Sequence, residues 1–250
     1  MPLDTDAPLE VLFHDDYLIV VNKPSGLLVH RSMIDRHETE FALQKVRDQI
    51  GQFVYPIHRL DKPTSGVLVF ALSKEIARLM SELLKTGETV KEYIAVVRGY
   101  IDEEGIIDYP LKEQLDKMTD AKVNKNKEAQ SAVTDFKRLA TVEIQEAVGR
   151  YQSTRYSLVK LFPKTGRKHQ LRRHMKHIMH PIVGDTKHGR GEHNKFFRSS
   201  FDSHRLLLHA IRMCFIHPVT GEELNLRAPI EHDFAKVLQA LAWNDENLLQ

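Results

Sequence analysis

The chain contains one cysteine, Cys214, so neither an intrachain disulfide framework nor a multi-cysteine zinc site can form. No apolar run approaches the roughly 18–20 residues that a membrane span requires. The N-terminus, MPLDTDAPLE, is acidic and lacks the apolar stretch of a secretory signal. Neither sign of charge dominates, because 36 Lys+Arg oppose 34 Asp+Glu for a formal net charge of +2. P-loop and Gly-rich dinucleotide turns are missing too. Together these absences exclude a disulfide-stapled secreted domain and a membrane protein, and leave a soluble cytoplasmic protein as the expectation. What is present, 42% hydrophobic residues, suffices for a sizeable core and excludes disorder.

Apolar runs at residues 9–13, 17–21 and 27–30 read as strands, separated by the turn signals His14-Asp15-Asp16 and Pro24-Ser25-Gly26. Residues 39–50 predict a short helix. Two further strands, at 53–60 and 67–72, meet across the segment HRLDKPTSG (residues 58–66). Ile76, Leu79, Met80, Leu83 and Leu84 recur at helical spacing behind Ser73 as N-cap, which predicts a helix over 73–84 that Gly87 stops. Strand composition returns at 90–99, 132–144 and 156–162. A helix is expected over 167–178, a polar loop over 188–203, paired strands at 205–216 and 223–227, and a closing helix over 233–243. Residues 112–130, polar and mixed in charge from Asp116 onward, read as a surface loop or insertion. Many short strands with few helices favour an α+β fold, a mixed, mainly antiparallel sheet with flanking helices, over a doubly wound parallel sheet. Nothing reads as a domain boundary, so one domain over residues 1–250 is expected, as a monomer with no obligate protein partner.

The near-neutral sum conceals a local concentration. Lys160, Lys164, Arg167, Lys168, Arg172, Arg173 and Lys176 lie in a stretch with no acidic residue. A solvated helix face is the bland explanation. Like charges one turn apart repel, however, and a polyanion would relieve that repulsion and gain counterion release. Phosphate binding is therefore favoured. His174, His177 and His180 recur every three residues, a spacing that can share a metal on a helix. No carboxylate lies within the run and Lys176 would sit beside the ion, so imidazoles that bond phosphate or pack in the core fit better, and no metal site is expected.

HRLDKPTSG is the strongest local signal. Asp61 lies between two apolar runs and is held by Pro63, which puts a carboxylate on a restrained loop suited to a group that must meet a reacting carbon closely. A turn aspartate capping backbone amides is the competing reading.

The combination of segments resembles the RluA family of pseudouridine synthases. HRLDKPTSG is similar to that family's catalytic motif, KEYIAVVRG (residues 91–99) to its second motif and PKTGRKHQLRRHM (residues 163–175) to its basic motif. Pro181-Ile182-Val183-Gly184-Asp185 and Arg205-Leu206-Leu207-Leu208-His209-Ala210 resemble later family segments, in the family's order. The likeness spans residues 9–230. His30-Arg31-Ser32, residues 46–52, Asp108-Tyr109-Pro110-Leu111 and residues 151–169 are most similar to members that act on tRNA at uridine 65, in the T stem. Lys62 stands where many members carry arginine, which keeps the charge. The N-terminal S4 RNA-binding domain of many relatives is not expected, since catalytic-type strands begin almost at once.

The resemblance implies an isomerase that needs no cofactor, because cutting the C1′–N1 bond and rejoining the uracil through C5 is redox-neutral. It implies Asp61 as the catalytic carboxylate, acting by attack at C1′, by attack at C6, or by removal of the 2′ proton to give a glycal. Arg167 is implied as the basic partner of Asp61, the alternative being one more phosphate-binding cation. Tyr93 is implied as the tyrosine that stacks on the uracil and moves a proton from C5. Arg59, beside His58, would fill the gap left when the base flips out. Lys164, Lys168, Arg172 and Arg173 would hold RNA phosphates, and Leu208 would wall the pocket. A synthase acting on ribosomal RNA, a non-catalytic RNA-binding module and, more distantly, a metal-dependent hydrolase are the competing functions.

Overall fold

A computed structural model describes residues 7–30, 39–113 and 128–243. The centre of the loop expected over 112–130, and Arg31 and Ser32 of the His30-Arg31-Ser32 motif, lie outside the described residues. The chain forms two compact units, each discontinuous in sequence. One holds the described residues up to Lys91, those between Lys112 and Gln130, and Ala210–Pro229; the other holds Glu92–Leu111, Ser131–His209 and the residues from Ile230 onward. No linker composition marks the five crossings between them, which is why composition shows no boundary.

In the first unit, β1 (Glu10–His14) pairs antiparallel with β2 (Leu18–Lys23), and β2 with β4 (Ser65–Ala71). The turn between β1 and β2 is closed by Asp15, whose carboxylate accepts from the Tyr17 and Leu18 amides at 2.8 and 2.7 Å. The run at 53–60 yields only the two-residue strand β3 (Tyr55–Pro56), also paired with β4. Every residue of β4 is buried, as its unbroken apolar run requires. Helix α1 (Ala42–Ile50) ends on Gly51, and α2 (Lys74–Thr86) begins as predicted: Ser73 Oγ accepts from the Ile76 amide at 3.2 Å, and Gly87 closes the last turn at φ 83°. Ile76 and Met80 of α2 join Leu18, Val20, Val69 and Phe215 in one core cluster.

The second unit is an antiparallel run of β5 (Val90–Arg98) against β8 (Thr154–Pro163), β8 against β7 (Val133–Ile144), and β7 against β6 (Glu104–Asp108). Strand β6 escapes sequence patterning because it is short and polar; Gly105 lets it approach the ring of Phe136 on β7. Helix α3 (Gln170–His177) starts three residues later than expected. Residues 188–203, expected as a polar loop, contain helix α4 (Gly191–Phe201). Its N-cap position, Arg190, makes no capping bond and its inward face is largely polar, so the usual signals are missing. Tertiary bonds hold it instead: Asn194 accepts from the Gly184 amide at 2.8 Å and donates to the Asp185 carbonyl at 2.9 Å, while Phe197 packs on Tyr156. Helix α5 (His232–Ala240) closes this unit. Strand β9 (Leu208–Ile216) begins in the second unit, ends in the first, and there pairs with β10 (Glu223–Arg227). The observed class is the expected α+β with mainly antiparallel pairing. Among the described residues, no helix is long and apolar enough to cross a membrane.

Gly66, which ends the HRLDKPTSG segment, adopts φ 110°, and a Cβ there would fall on the Ala210 backbone within the first unit. Gly51 is also left-handed, at φ 71°, but faces open space. Gly51→Ala should therefore cost about 1 kcal/mol, the conformational term alone. Gly66→Ala adds the clash and should cost about 3 kcal/mol or more. Urea unfolding measures both, and equal losses would contradict the packing at Gly66.

Candidate active site

Within the first unit, Asp61 is half-buried on a loop whose backbone is held from several sides. The Thr64 amide donates to the Asp61 carbonyl at 2.9 Å, closing a tight turn over Lys62 and Pro63. The Lys62 carbonyl accepts from the Gly26 amide at 2.9 Å and from Lys23 Nζ at 3.2 Å. Ser25 Oγ donates to the Pro63 carbonyl at 2.9 Å. Lys23 is fully buried, and its ammonium also donates to the Pro24 and Leu27 carbonyls, each at 2.8 Å. A buried cation that bonds three backbone carbonyls is a rigid post. The Pro24-Ser25-Gly26 turn is legible in the sequence, but the role of Lys23 is not; an isolated lysine ending an apolar strand is the signal that could find it.

His58 turns inward. Its Nε2 accepts from the Val69 amide of β4 at 3.3 Å, and burial, then the charge of Lys91, pulls its pKa down to about 3. The ring is thus a neutral anchor between loop and strand, a different task from contacting RNA. Burial holds the Lys91 ammonium below its ordinary range as well. Arg59 is exposed, and its charge adds to burial in lowering the pKa of His30.

In the second unit, Tyr93 is half-buried on β5 opposite Leu161 of β8, and packs against the cluster that contains Leu208, Leu171 and Met175. The fold thus brings Tyr93 and Leu208 to one apolar cluster. Arg167 is exposed on the turn before α3, with Nε donating to the Ser131 carbonyl at 3.0 Å. That turn is set by Gln170, a buried amide inside the basic run. Its Oε1 accepts from the Arg167 amide at 3.0 Å and Thr165 Oγ1 at 2.7 Å; its Nε2 donates to the Val133 carbonyl and Thr134 Oγ1, both at 3.0 Å. All four bonding positions of the amide are used, and the direction of the Arg167 backbone follows. Gln170 was not picked out from the sequence, where a neutral residue among cations carries no signal.

The basic run divides in two. Lys160, on β8, pairs with Glu92 at 3.6 Å, and both are buried. Arg172 binds Asp185 through two hydrogen bonds of 2.7 and 2.8 Å, with side chains only 5% and 1% exposed. Lys164 reaches Asp135 at 3.1 Å on the surface. The acids missing from the local sequence are therefore supplied by other elements. Arg172, expected on phosphate, is committed to Asp185, whose carboxyl lies below its ordinary range because two Arg172 bonds and two backbone amides outweigh burial. Arg167, Lys168 and Lys176 are exposed and Arg173 is half-buried. The three spaced histidines have different partners: His174 is buried against Thr134 and the Tyr109 carbonyl, His177 stacks on Tyr109, and His180 bonds the Arg98 carbonyl.

Two histidines behind this surface carry a pH signature. His193 Nε2 accepts from Arg98 Nε at 3.0 Å, leaving Nδ1–H for the Tyr156 hydroxyl at 2.8 Å. Burial and the Arg98 charge bring its pKa to about 4, and burial pushes the Tyr156 phenol up to about 12. His188, 3.0 Å from His169, is also lowered to about 4, mainly by burial. Unfolding frees both rings to bind protons below pH 6.5, so stability is highest above that pH and falls as pH drops toward 4. In thermal unfolding at a series of pH values, His193→Gln, with no titrating ring, should lose less stability across this window. A parallel profile for variant and wild type would contradict the assignment.

Comparison with known proteins adds the wider context. A family model described as RNA pseudouridylate synthase matches residues 17–177. Curated relatives named tRNA pseudouridine synthase C include those of Vibrio parahaemolyticus, 55% identical over 95% of this chain and 97% of that protein, and of Haemophilus influenzae, 52% identical over 95% and 99%. Among solved structures, human RNA pseudouridylate synthase domain containing 4 is similar at 29% identity and TM-score 0.69, covering 93% of both chains. Human RNA pseudouridylate synthase domain containing 1, at 22% identity and TM-score 0.69, shares the fold over 97% of both. With a family match that spans both HRLDKPTSG and the basic run, and relatives this similar along almost their whole length, the chain belongs to the RNA pseudouridylate synthase family.

Proposed function

We propose that this protein isomerises uridine to pseudouridine in tRNA, at position 65 of the T stem, with Asp61 as its catalytic carboxylate. Near full-length identity of about half to relatives named for tRNA carries the choice of substrate. In the reaction the C1′–N1 bond breaks, a C1′–C5 bond forms, C5 loses a proton and N1 gains one. Atoms and electrons balance without a redox partner. A carboxylate on a loop as tightly held as that of Asp61 suits attack at C1′ or C6, or removal of the 2′ proton. Arg167 is proposed as the cation of the reaction, and Tyr93 as the ring that stacks on the uracil and accepts the C5 proton.

Reaching C1′ or C6 requires the uridine to leave its helix, at a cost of a few kcal/mol. Arg59, exposed two residues before Asp61, is the side chain proposed to occupy the gap. Lys164, Lys168 and Arg173 are proposed to hold phosphates. Arg172 and His58 serve from inside, one by fixing α3 to Asp185 and the other by fixing the Asp61 loop to β4. Leu208 contributes to the apolar wall next to Tyr93.

With tRNA labelled with tritium at uracil C5, turnover releases label into water. Asp61→Asn should abolish release, by at least about a thousandfold, while tRNA affinity stays within about threefold of wild type. Normal release by this variant would remove Asp61 from the chemistry. Retained binding with no release by the wild-type protein would instead favour a non-catalytic RNA-binding module.

A further inference from the structure

The second unit carries an aromatic pair that the reaction does not use. Tyr109, just after β6, lies parallel to His177 at the end of α3, with ring centroids 3.6 Å apart and planes 16° from coincidence. Both are exposed, Tyr109 at 42%, so the pair is not a core contact. Arg173 lies one turn earlier on the same helix and Lys176 adjoins His177, while Asp108 is the neighbouring acid.

Tyr109 is also held far more firmly than an ordinary surface residue. Its amide donates to the Ala132 carbonyl at 3.1 Å, and Pro110 restricts its backbone to extended conformations. Its carbonyl faces His174 Nε2 at 3.0 Å. A carbonyl only accepts, so Nε2 carries the proton; burial lowers the pKa of His174, and the neutral ring then accepts at Nδ1 from Thr134 Oγ1 at 3.0 Å. Thr134 in turn accepts from Gln170, which sets the Arg167 turn. A continuous polar chain thus joins the backbone of Tyr109 to that of Arg167. A planar π surface with fixed orientation, flanked by cations, matches what stacks a nucleobase and holds its phosphates, and its rigidity lowers the entropic cost of binding.

We propose that Tyr109 and His177 form a platform on which a nucleobase of the RNA substrate stacks, other than the uridine that reacts. The platform rests on the RNA-modifying reading above and extends it, giving the RNA surface an aromatic element beside its cations. Stacking differs from phosphate contact in its response to salt, and this separates the two experimentally.

Equilibrium binding of the full-length protein to a tRNA transcript, titrated over a range of salt, tests the platform. Tyr109→Ala and His177→Ala should each weaken binding by about tenfold. Tyr109→Phe, which keeps the ring, should bind within about twofold of wild type. The slope of log affinity against log salt should be unchanged in Tyr109→Ala, whereas Lys176→Ala should reduce it by about 0.7–0.9. Wild-type affinity in Tyr109→Ala, or a loss accompanied by a shallower salt slope, overturns the platform. Tritium release from the same tRNA is followed in parallel. Its absence with wild-type protein overturns the functional reading itself, whereas release with unaltered Tyr109→Ala affinity overturns the platform alone.

Discussion

The carbonyl of Lys62 accepts two hydrogen bonds, one from the Gly26 amide and one from the buried ammonium of Lys23, and the geometry next to Asp61 depends on them. The Lys23 ammonium donates to backbone carbonyls of its own turn, Pro24 and Leu27, and of the opposing loop, Lys62. Such an ion is costly to bury unless every partner stays in place. Its presence therefore ties two loops, residues 24–27 and 61–64, to one geometry. His58, bonded to the Val69 amide, fixes the other side of the same loop to β4. A reacting carboxylate gains most from this arrangement, because small displacements at the point of attack lose much of the rate.

The second unit solves a different problem, which is how to present many cations without repulsion opening the fold. Glu92 and Asp185 take Lys160 and Arg172 inside, each as a buried pair, and Asp135 takes Lys164 at the surface. The Arg172–Asp185 pair anchors α3, since the same carboxylate also accepts from the Lys187 and His188 amides at 2.9 and 2.8 Å. Gln170 supplies the neutral counterpart, fixing the 165–167 turn with four hydrogen bonds and no charge. The remaining cations of the run, Arg167 and Lys168 before α3 and Arg173 and Lys176 on it, then lie on backbone whose position does not depend on them.

Much of this was legible in the sequence because it is local. Ser73 as N-cap, Gly87 as stop and the apolar spacing between them are one helix written in consecutive residues, and α2 forms where they say. The restrained loop at Asp61 and the cationic run at 160–176 are likewise contiguous. What could not be read is set by contacts between distant residues. Helix α4 is held by Asn194 bonding to Gly184 and Asp185, with no capping signal of its own. Arg172 looks like any surface cation until Asp185, 13 residues later, folds against it. Polar residues that act from inside, Lys23, His58 and Gln170, defeat composition arguments because those arguments place polar groups outside.

The proposed function turns on a single chemical assignment, the Asp61 carboxylate directed at one uridine of tRNA. Mapping pseudouridine by sequencing in tRNA and ribosomal RNA from cells with and without the gene tests it most directly. Deletion should remove pseudouridine from position 65 of tRNA and leave every ribosomal site intact. Loss confined to ribosomal RNA, with tRNA unchanged, would contradict it.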